Sequence, residues 1–197
     1  MDHAFIVGSS VEPDELENRR WVRGIQASDH AVLESFFRSV QPRLLRYAER
    51  FVSGDAAHDI VQEAFVKIWS GREQLDPNRS LKALAYRTVR NLALNRVRDR
   101  NRRGELLQLN VVENRRPARA DAATMEEELS EKVEGWIEAL PDRQREALRL
   151  SRVAGLTHQE VAEAMDLSAR TVNNHLVRAL RTLRDHVRAY DPTLLSP

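Results

Sequence analysis

Residues 157–188 read THQEVAEAMDLSARTVNNHLVRALRTLRDHVR, and the fold turns on this stretch. Thr157 and Glu160 stand at the spacing of a capping box, in which the threonine hydroxyl and the glutamate carboxylate satisfy each other's free backbone N–H groups. A helix therefore starts there and buries Val161, Ala162 and Met165. Asp166-Leu167 makes a tight turn to Ser168, a good N-cap for the next helix. On that second helix Val172, Leu176, Ala179, Leu180, Leu183 and Val187 form one apolar stripe. Arg170, Asn173, Asn174, Val177, Arg181, Arg184 and Arg188 fall on the opposite side. Helix, short turn and second helix with an Arg/Asn outer face is the helix-turn-helix design. Asn pairs bidentately with adenine N6/N7 and Arg with guanine O6/N7 in the major groove, best from near a helix start. Arg170, Asn173, Asn174, Val177 and Arg178 are thus the expected base contacts, and Arg181 and Arg184 the expected phosphate contacts. The competing reading is a solvated amphipathic helix, against which cap, turn and stripe all agree.

Upstream of this stretch, proline and glycine are sparse and the intervals between them have helical periodicity. The pattern predicts a helix over about 15–26 and a second capped by Asp29 that carries Val32, Leu33, Phe36 and Phe37 inward. Pro42 is placed in the first turn of a new helix running through Phe51. After Ser53-Gly54-Asp55 a helix with Ile60, Val61, Ala64, Phe65, Ile68 and Trp69 on one stripe ends near Gly71. Asp76-Pro77-Asn78 reads as a turn, and Ser80 as the N-cap of a long helix to about Arg103. Residues 104–124 hold a short apolar cluster (Leu106, Leu107, Leu109, Val111, Val112), then Arg115-Arg116-Pro117 and an alanine-rich run, which reads as a linker without fixed structure. Periodicity resumes with Leu129, Val133, Trp136, Ile137 and Leu140, and Pro141 opens a helix that Gly155 closes. The expected fold is all-α: two small helical domains joined by a flexible linker, the second a helix-turn-helix, with boundaries at 1–104, 105–124 and 125–197.

Composition narrows the function. The 197 residues carry 31 Lys+Arg against 30 Asp+Glu and no cysteine. Disulfides, thiolate nucleophiles and Cys-ligated zinc are therefore excluded, which is consistent with a reducing compartment. No stretch approaches a membrane span, and the apolar run from Ala4 to Val7 is too short for a signal-peptide core, so a cytoplasmic protein without membrane insertion is expected. The net charge of +1 hides a segregation. Residues 79–103 hold nine basic residues against Asp99 alone, whereas 121–146 hold nine acids against Lys132, Arg143 and Arg145. Arginines return at 170, 178, 181, 184 and 188, so two basic patches bracket an acidic stretch, a pattern suited to polyanion contact at two places.

The helix from Ser80 places Arg87, Arg90, Asn91, Leu94 and Arg98 on one face, where cations flank an amide at spacings a nucleic-acid strand can follow. Just before it, Asp59-Ile60-Val61-Gln62-Glu63-Ala64-Phe65 sets Asp59, Gln62, Glu63 and Lys67 on the polar side of a helix whose other side is core. The Asp-x-Val-Gln-Glu-x-Phe motif is followed by a Tyr-Arg-x-x-x-Asn-x-Ala-x-Asn segment at 86–95, a basic helix end, a linker, Leu140-Pro141 and the helix-turn-helix. In this order the chain resembles the extracytoplasmic-function sigma factors of bacterial RNA polymerase over roughly residues 15–188.

The resemblance implies two helical domains. The first binds the clamp helices of the polymerase largest subunit and opens the minus-ten promoter element. The second reads the minus-thirty-five element and touches the flap of the other large subunit. It also implies Asp59, Gln62 and Glu63 as contacts to core polymerase, and Asn91 as the residue capturing a flipped minus-ten base beside Arg87, Arg90 and Arg98. Arg170, Asn173, Asn174, Val177, Arg178 and Arg181 would face the minus-thirty-five duplex. The implied partners are core RNA polymerase, promoter DNA and an anti-sigma factor, with no cofactor or metal. One departure is visible: many relatives carry tryptophan two residues before the tyrosine of the 86–95 segment, and this chain has Leu84.

Three other classes compete. His58-Asp59 with Glu63 suggests a metal-dependent phosphohydrolase, but the remaining histidines add no ligand pair at helical spacing. No two glycines lie within fifteen residues of each other, which excludes glycine-rich phosphate loops, so no enzyme is expected. A helix-turn-helix regulator that does not act as a polymerase specificity subunit would share the segment Arg170-Thr171-Val172-Asn173-Asn174-His175-Leu176, yet needs no basic strand-binding helix upstream. A pure interaction module would use the acidic middle segment.

Overall fold

A computed structural model describes residues 13–102 and 125–191, with side chains from 15 and from 128 onward in the two stretches. The linker at 105–124, with its apolar cluster at 106–112, lies outside the described residues, which form eight α-helices and one short 3-10 turn and contain no strand.

The first four helices are α1 (Pro13–Gln26), α2 (His30–Ala48), α3 (Gly54–Ser70) and α4 (Leu81–Arg102). Asp29 caps α2, its carboxylate accepting from the Ala31 and Val32 N–H groups. α1 and α2 approach so closely that a Cβ on Gly24 would stand 2.7 Å from a Val32 methyl, so glycine is required there by space. The break expected at Pro42 does not occur: α2 is one helix from His30 to Ala48 with Pro42 inside it. An internal proline costs about 3 kcal/mol. Against that, Phe36, Val40, Leu44 and Tyr47 continue a single buried stripe across it, while Pro42 itself faces solvent. Burying side chains of this size is worth about 1.5–3 kcal/mol each, so the unbroken stripe wins. Phe36 sits at the centre, fully buried, with ring centroids 5.1 Å from Trp21 and 5.7 Å from Phe65.

The loop between α3 and α4 is pinned by side chains of α1. Gln26 donates to the Leu75 carbonyl at 2.8 Å, and Asn18 both donates to the Arg79 carbonyl at 2.9 Å and accepts from the Leu81 N–H at 2.8 Å. Ser80 caps α4 as expected, accepting from the Ala83 N–H.

The second set comprises α5 (Met125–Glu138), α6 (Asp142–Arg152), α7 (His158–Met165) and α8 (Ala169–Tyr190). Arg149 is buried and reaches Glu134 and Glu138 of α5, tying α5 to α6. Gly155 takes a positive φ of 73°, which closes the α6 turn at a conformation suited to glycine. The capping box at Thr157 and Glu160 forms in both directions, and Asp166 adopts the left-handed conformation between α7 and α8 that an aspartate tolerates. Ser168 accepts from the Thr171 N–H and starts α8. Of the expected α8 stripe, Val172, Leu176 and Ala179 are buried, but Leu180 is 39% exposed. It lies one residue, about 100° of helix rotation, beyond Ala179 and so clears the packed side. Thr157→Ala is expected to lower unfolding free energy by about 1 kcal/mol, read as a shift in urea midpoint at constant m.

The two sets are not separate bodies in this structure. Among the described residues α4 and α7 make the most extensive helix–helix contact, and one apolar cluster runs through both sets.

Candidate nucleic-acid interface

On α3, Ala57, Ile60, Val61, Ala64, Phe65 and Ile68 are committed to the core. Asp59, Gln62 and Glu63 are consequently exposed on the outer side, as the sequence implied. Glu63 lies 3.6 Å from Lys67 one turn on, and Asp59 lies 3.9 Å from Arg96 of α4. Solvated pairs at such separations contribute little, so both carboxylates remain available to a partner. Sequence reasoning missed Val66, which is 63% exposed on the same side. Its offset of three from Glu63 and four from Gln62 was the signal. His58 is an exposed neighbour of this face, and among the described residues no group of His, Asp or Glu is arranged to hold a metal ion.

The α4 residues divide into two environments rather than one open face. Asn91 and Arg98 are exposed. Arg87 instead meets Asp166 at 3.2 Å, and Arg90 donates to Glu146 at 2.7 Å. Only 12% of the Arg90 side chain and 15% of the Glu146 side chain are exposed. Burial works against the Arg90 charge, but the hydrogen bond and charge of Glu146 outweigh it and hold its pKa above the usual guanidinium value. Glu146 also accepts from the Tyr47 hydroxyl at 2.8 Å. Burial and then this carboxylate push the Tyr47 pKa well up. Beside it, at 5.3 Å between rings, Tyr86 keeps a buried hydroxyl with no partner among the described residues, and burial raises its pKa to about 12.

Between the 76–80 loop, α4 and α7 lies a cleft of about 250 Å³ lined by Asp76, Arg79, Ser80, Leu84, Arg87 and Glu163. Leu84 thus sits at a cleft wall. The loop keeps its shape through the Asn78 N–H bond to the Asp76 carboxylate at 2.9 Å and the α1 anchors already described.

α8 presents the clearest outward face. Arg170, Asn173, Asn174, Val177, Arg178 and Arg181 are all exposed along one side, opposite Val172, Leu176 and Ala179. Val177 is an exposed apolar side chain among polar neighbours, a type that packs on a thymine methyl. All but Arg181 lie on the first three turns of α8, from which a major-groove helix reaches base edges.

Residues 36–103 match the family described as Sigma-70 region 2, and residues 130–183 match Sigma-70, region 4. The chain is 24% identical over 184 residues to the ECF RNA polymerase sigma-E factor of Escherichia coli K12, covering 89% of this chain and 96% of that protein. The Haemophilus influenzae protein of the same name is also 24% identical, with 89% and 97% covered. Among solved structures, CnrH in complex with the cytosolic domain of CnrY superposes with a TM-score of 0.59 at 21% identity, covering 88% of this chain and 98% of that one. The sigma factor RpoE of Bartonella quintana, in complex with the anti-sigma factor NepR, gives 0.60 at 22% identity, with 79% and 96% covered. These likenesses establish the all-helical fold.

Proposed function

Because this chain belongs to the extracytoplasmic-function group of sigma-70 factors, we propose that it binds core RNA polymerase and directs it to promoters by reading two elements in two different ways. Residues 1–104 form the domain that engages polymerase and the opened minus-ten strand, 105–124 connect, and 125–197 read the minus-thirty-five element as duplex. The observation that carries this reading is the outer face of α8, six exposed residues of major-groove chemistry on a helix whose capping, turn and buried stripe form a helix-turn-helix. Arg170, Asn173, Asn174, Val177 and Arg178 touch bases, and Arg181 holds phosphate.

Asp59, Gln62 and Glu63 of α3 provide the polar anchor for the polymerase, because the opposite side of that helix is spent on the core. Asn91 captures an unpaired base. Arg98 beside it, and Arg87 and Arg90 once released from their carboxylates, hold the strand backbone. Pulling a base from its stack costs a few kcal/mol, which an amide returns by hydrogen bonds to an edge that pairing would hide. The protein acts as an initiation factor and not as an enzyme. The cytoplasm, where polymerase and promoters are, is its place of action. An anti-sigma factor, the partner named for the Bartonella quintana relative, belongs to the same reading.

A promoter-mutation scan tests it. Asn174→Ala should lose about 1–3 kcal/mol of discrimination at one minus-thirty-five base pair and leave other positions unchanged. Asn91→Ala should slow open-complex formation and relax preference at one minus-ten position while leaving polymerase affinity intact. Uniform weakening across all promoter positions in both variants would contradict base reading by these residues.

A further inference from the structure

One side chain of α1 holds three backbone groups of the segment that leads into α4. The Asn18 amide accepts from the Leu81 N–H at 2.8 Å, donates to the Arg79 carbonyl at 2.9 Å and reaches the Pro77 carbonyl at 3.4 Å. The Leu81 N–H is among the first donors of α4, which no partner within the helix can satisfy. Two turns on, Gln26 donates to the Leu75 carbonyl at 2.8 Å. Asn18, Val22 and Gln26 stand four residues apart and share one face of α1, and the buried Val22 between the two amides forms part of the cleft wall. A surface loop is ordinarily among the more mobile parts of a fold. This one is tied at both ends to a helix. Within it the Asn78 N–H bonds the Asp76 carboxylate, and the Arg79 N–H bonds the Asp76 carbonyl at 3.0 Å.

What the loop presents is Arg79, whose side chain is 59% exposed. Arg79 and Arg87 line the same cleft and reach Glu163 and Asp166, three residues apart at the end of α7, so the two guanidinium groups face the same way. Arg79 therefore continues the cationic row of α4 past the helix start. We infer that Asn18 is a positioning residue for the minus-ten strand: it fixes the start of α4 and the backbone of Arg79, so that the unpaired strand meets a loop already in its binding shape. This inference rests on the reading of α4 as a strand-binding helix. Ordering a flexible strand against a flexible loop would cost affinity twice, whereas a loop fixed beforehand leaves only the strand to order. The same fixing sharpens base choice. Phosphate contacts set the register of a strand, and a loop that wanders lets bases slide past the amide that reads them. If loss of the anchor leaves the loop in its binding shape in about a tenth of molecules, the preferred sequence loses about tenfold in affinity. Sequences held by phosphate contacts alone lose little.

Two measurements on the full-length chain test it. Amide exchange across residues 76–81 should be slow in the wild type and fast in Asn18→Leu, which keeps the size of the side chain and removes its hydrogen bonds. Asn18→Asp keeps an acceptor for the Leu81 N–H, strengthened by its charge at a helix start, and should stay slow. Holoenzyme assembled from each variant and purified core polymerase then captures strands from a random-sequence pool of single-stranded oligodeoxynucleotides, with core enzyme alone as the blank. Sequencing the captured strands gives base preference, a ratio that does not depend on the folded fraction. Asn18→Leu should flatten the enriched motif about tenfold, and Asn18→Asp should retain it. An intact motif in Asn18→Leu, with one position lost in Asn91→Ala, overturns the positioning role and leaves the function of α4 standing. A flattened motif with slow exchange at 76–81, in either Asn18 variant, overturns the route through the loop. No motif in the wild type, with equal capture by Asn91→Ala, overturns strand reading by α4 and this inference with it. If the melting curve shows Asn18→Leu unfolded, Asn18→Ala takes its place with the same outcomes.

Discussion

Charge reversal at Asp59→Arg and Glu63→Arg together is expected to weaken binding to core RNA polymerase by about a hundredfold or more while the domain stays folded. Each substitution replaces an anchor with the wrong sign, and like-charge juxtaposition at an interface costs several kcal/mol, far above the cost of losing a surface contact. The internal cost is small. Glu63 contributes through Lys67 only about 0.3–0.5 kcal/mol, and the Asp59–Arg96 pair is long and solvated. The aliphatic side chain of Val66, exposed one turn beyond Glu63, would supply apolar area to such a contact and keeps its own place in the double variant. A polymerase titration by fluorescence anisotropy, paired with a melting curve, checks both halves. Wild-type affinity in the double variant would remove α3 from the polymerase contact.

The largest effect on stability is expected from Phe36→Ala, which should cost about 3–5 kcal/mol. Phe36 is fully buried and holds Trp21 of α1 and Phe65 of α3 against α2, so its removal opens a cavity where three helices meet. For a chain of this size that is a fall in Tm of roughly 10 °C or more. Calorimetry should show the loss in full. A shift below about 1 kcal/mol would mean that the α1–α2–α3 junction collapses freely and is not the tightly packed centre described.

What was legible in the sequence follows from the range of the interactions. Thr157 and Glu160 are three residues apart, Asp166 needs only its own backbone, and Ser168 reaches Thr171, so helix-turn-helix, caps and outer face could be read directly. α3 and its exposed carboxylates were legible for the same reason, a stripe of period 3.6 against polar positions. Pro42 misled because a local rule met a tertiary stripe: Phe36, Val40, Leu44 and Tyr47 bury enough apolar area to carry the helix through it. The environments of Arg87 and Arg90 were not legible at all. Their partners, Asp166 and Glu146, lie 79 and 56 residues away, and charge counting alone shows opposite segments without saying that they meet. Asn18 and Gln26 were passed over because an amide on an amphipathic helix looks solvated until the carbonyls of Arg79 and Leu75 are brought beneath it.

Run-off transcription with purified bacterial core polymerase tests the sigma assignment most directly. The full chain should make core enzyme initiate at one defined start on cognate promoter DNA, and the Asp59→Arg/Glu63→Arg double variant should abolish that product. If core polymerase gives no defined transcript with the chain and does not bind it in solution, while the chain still binds duplex DNA through α8, it is a helix-turn-helix regulator and the polymerase reading is wrong.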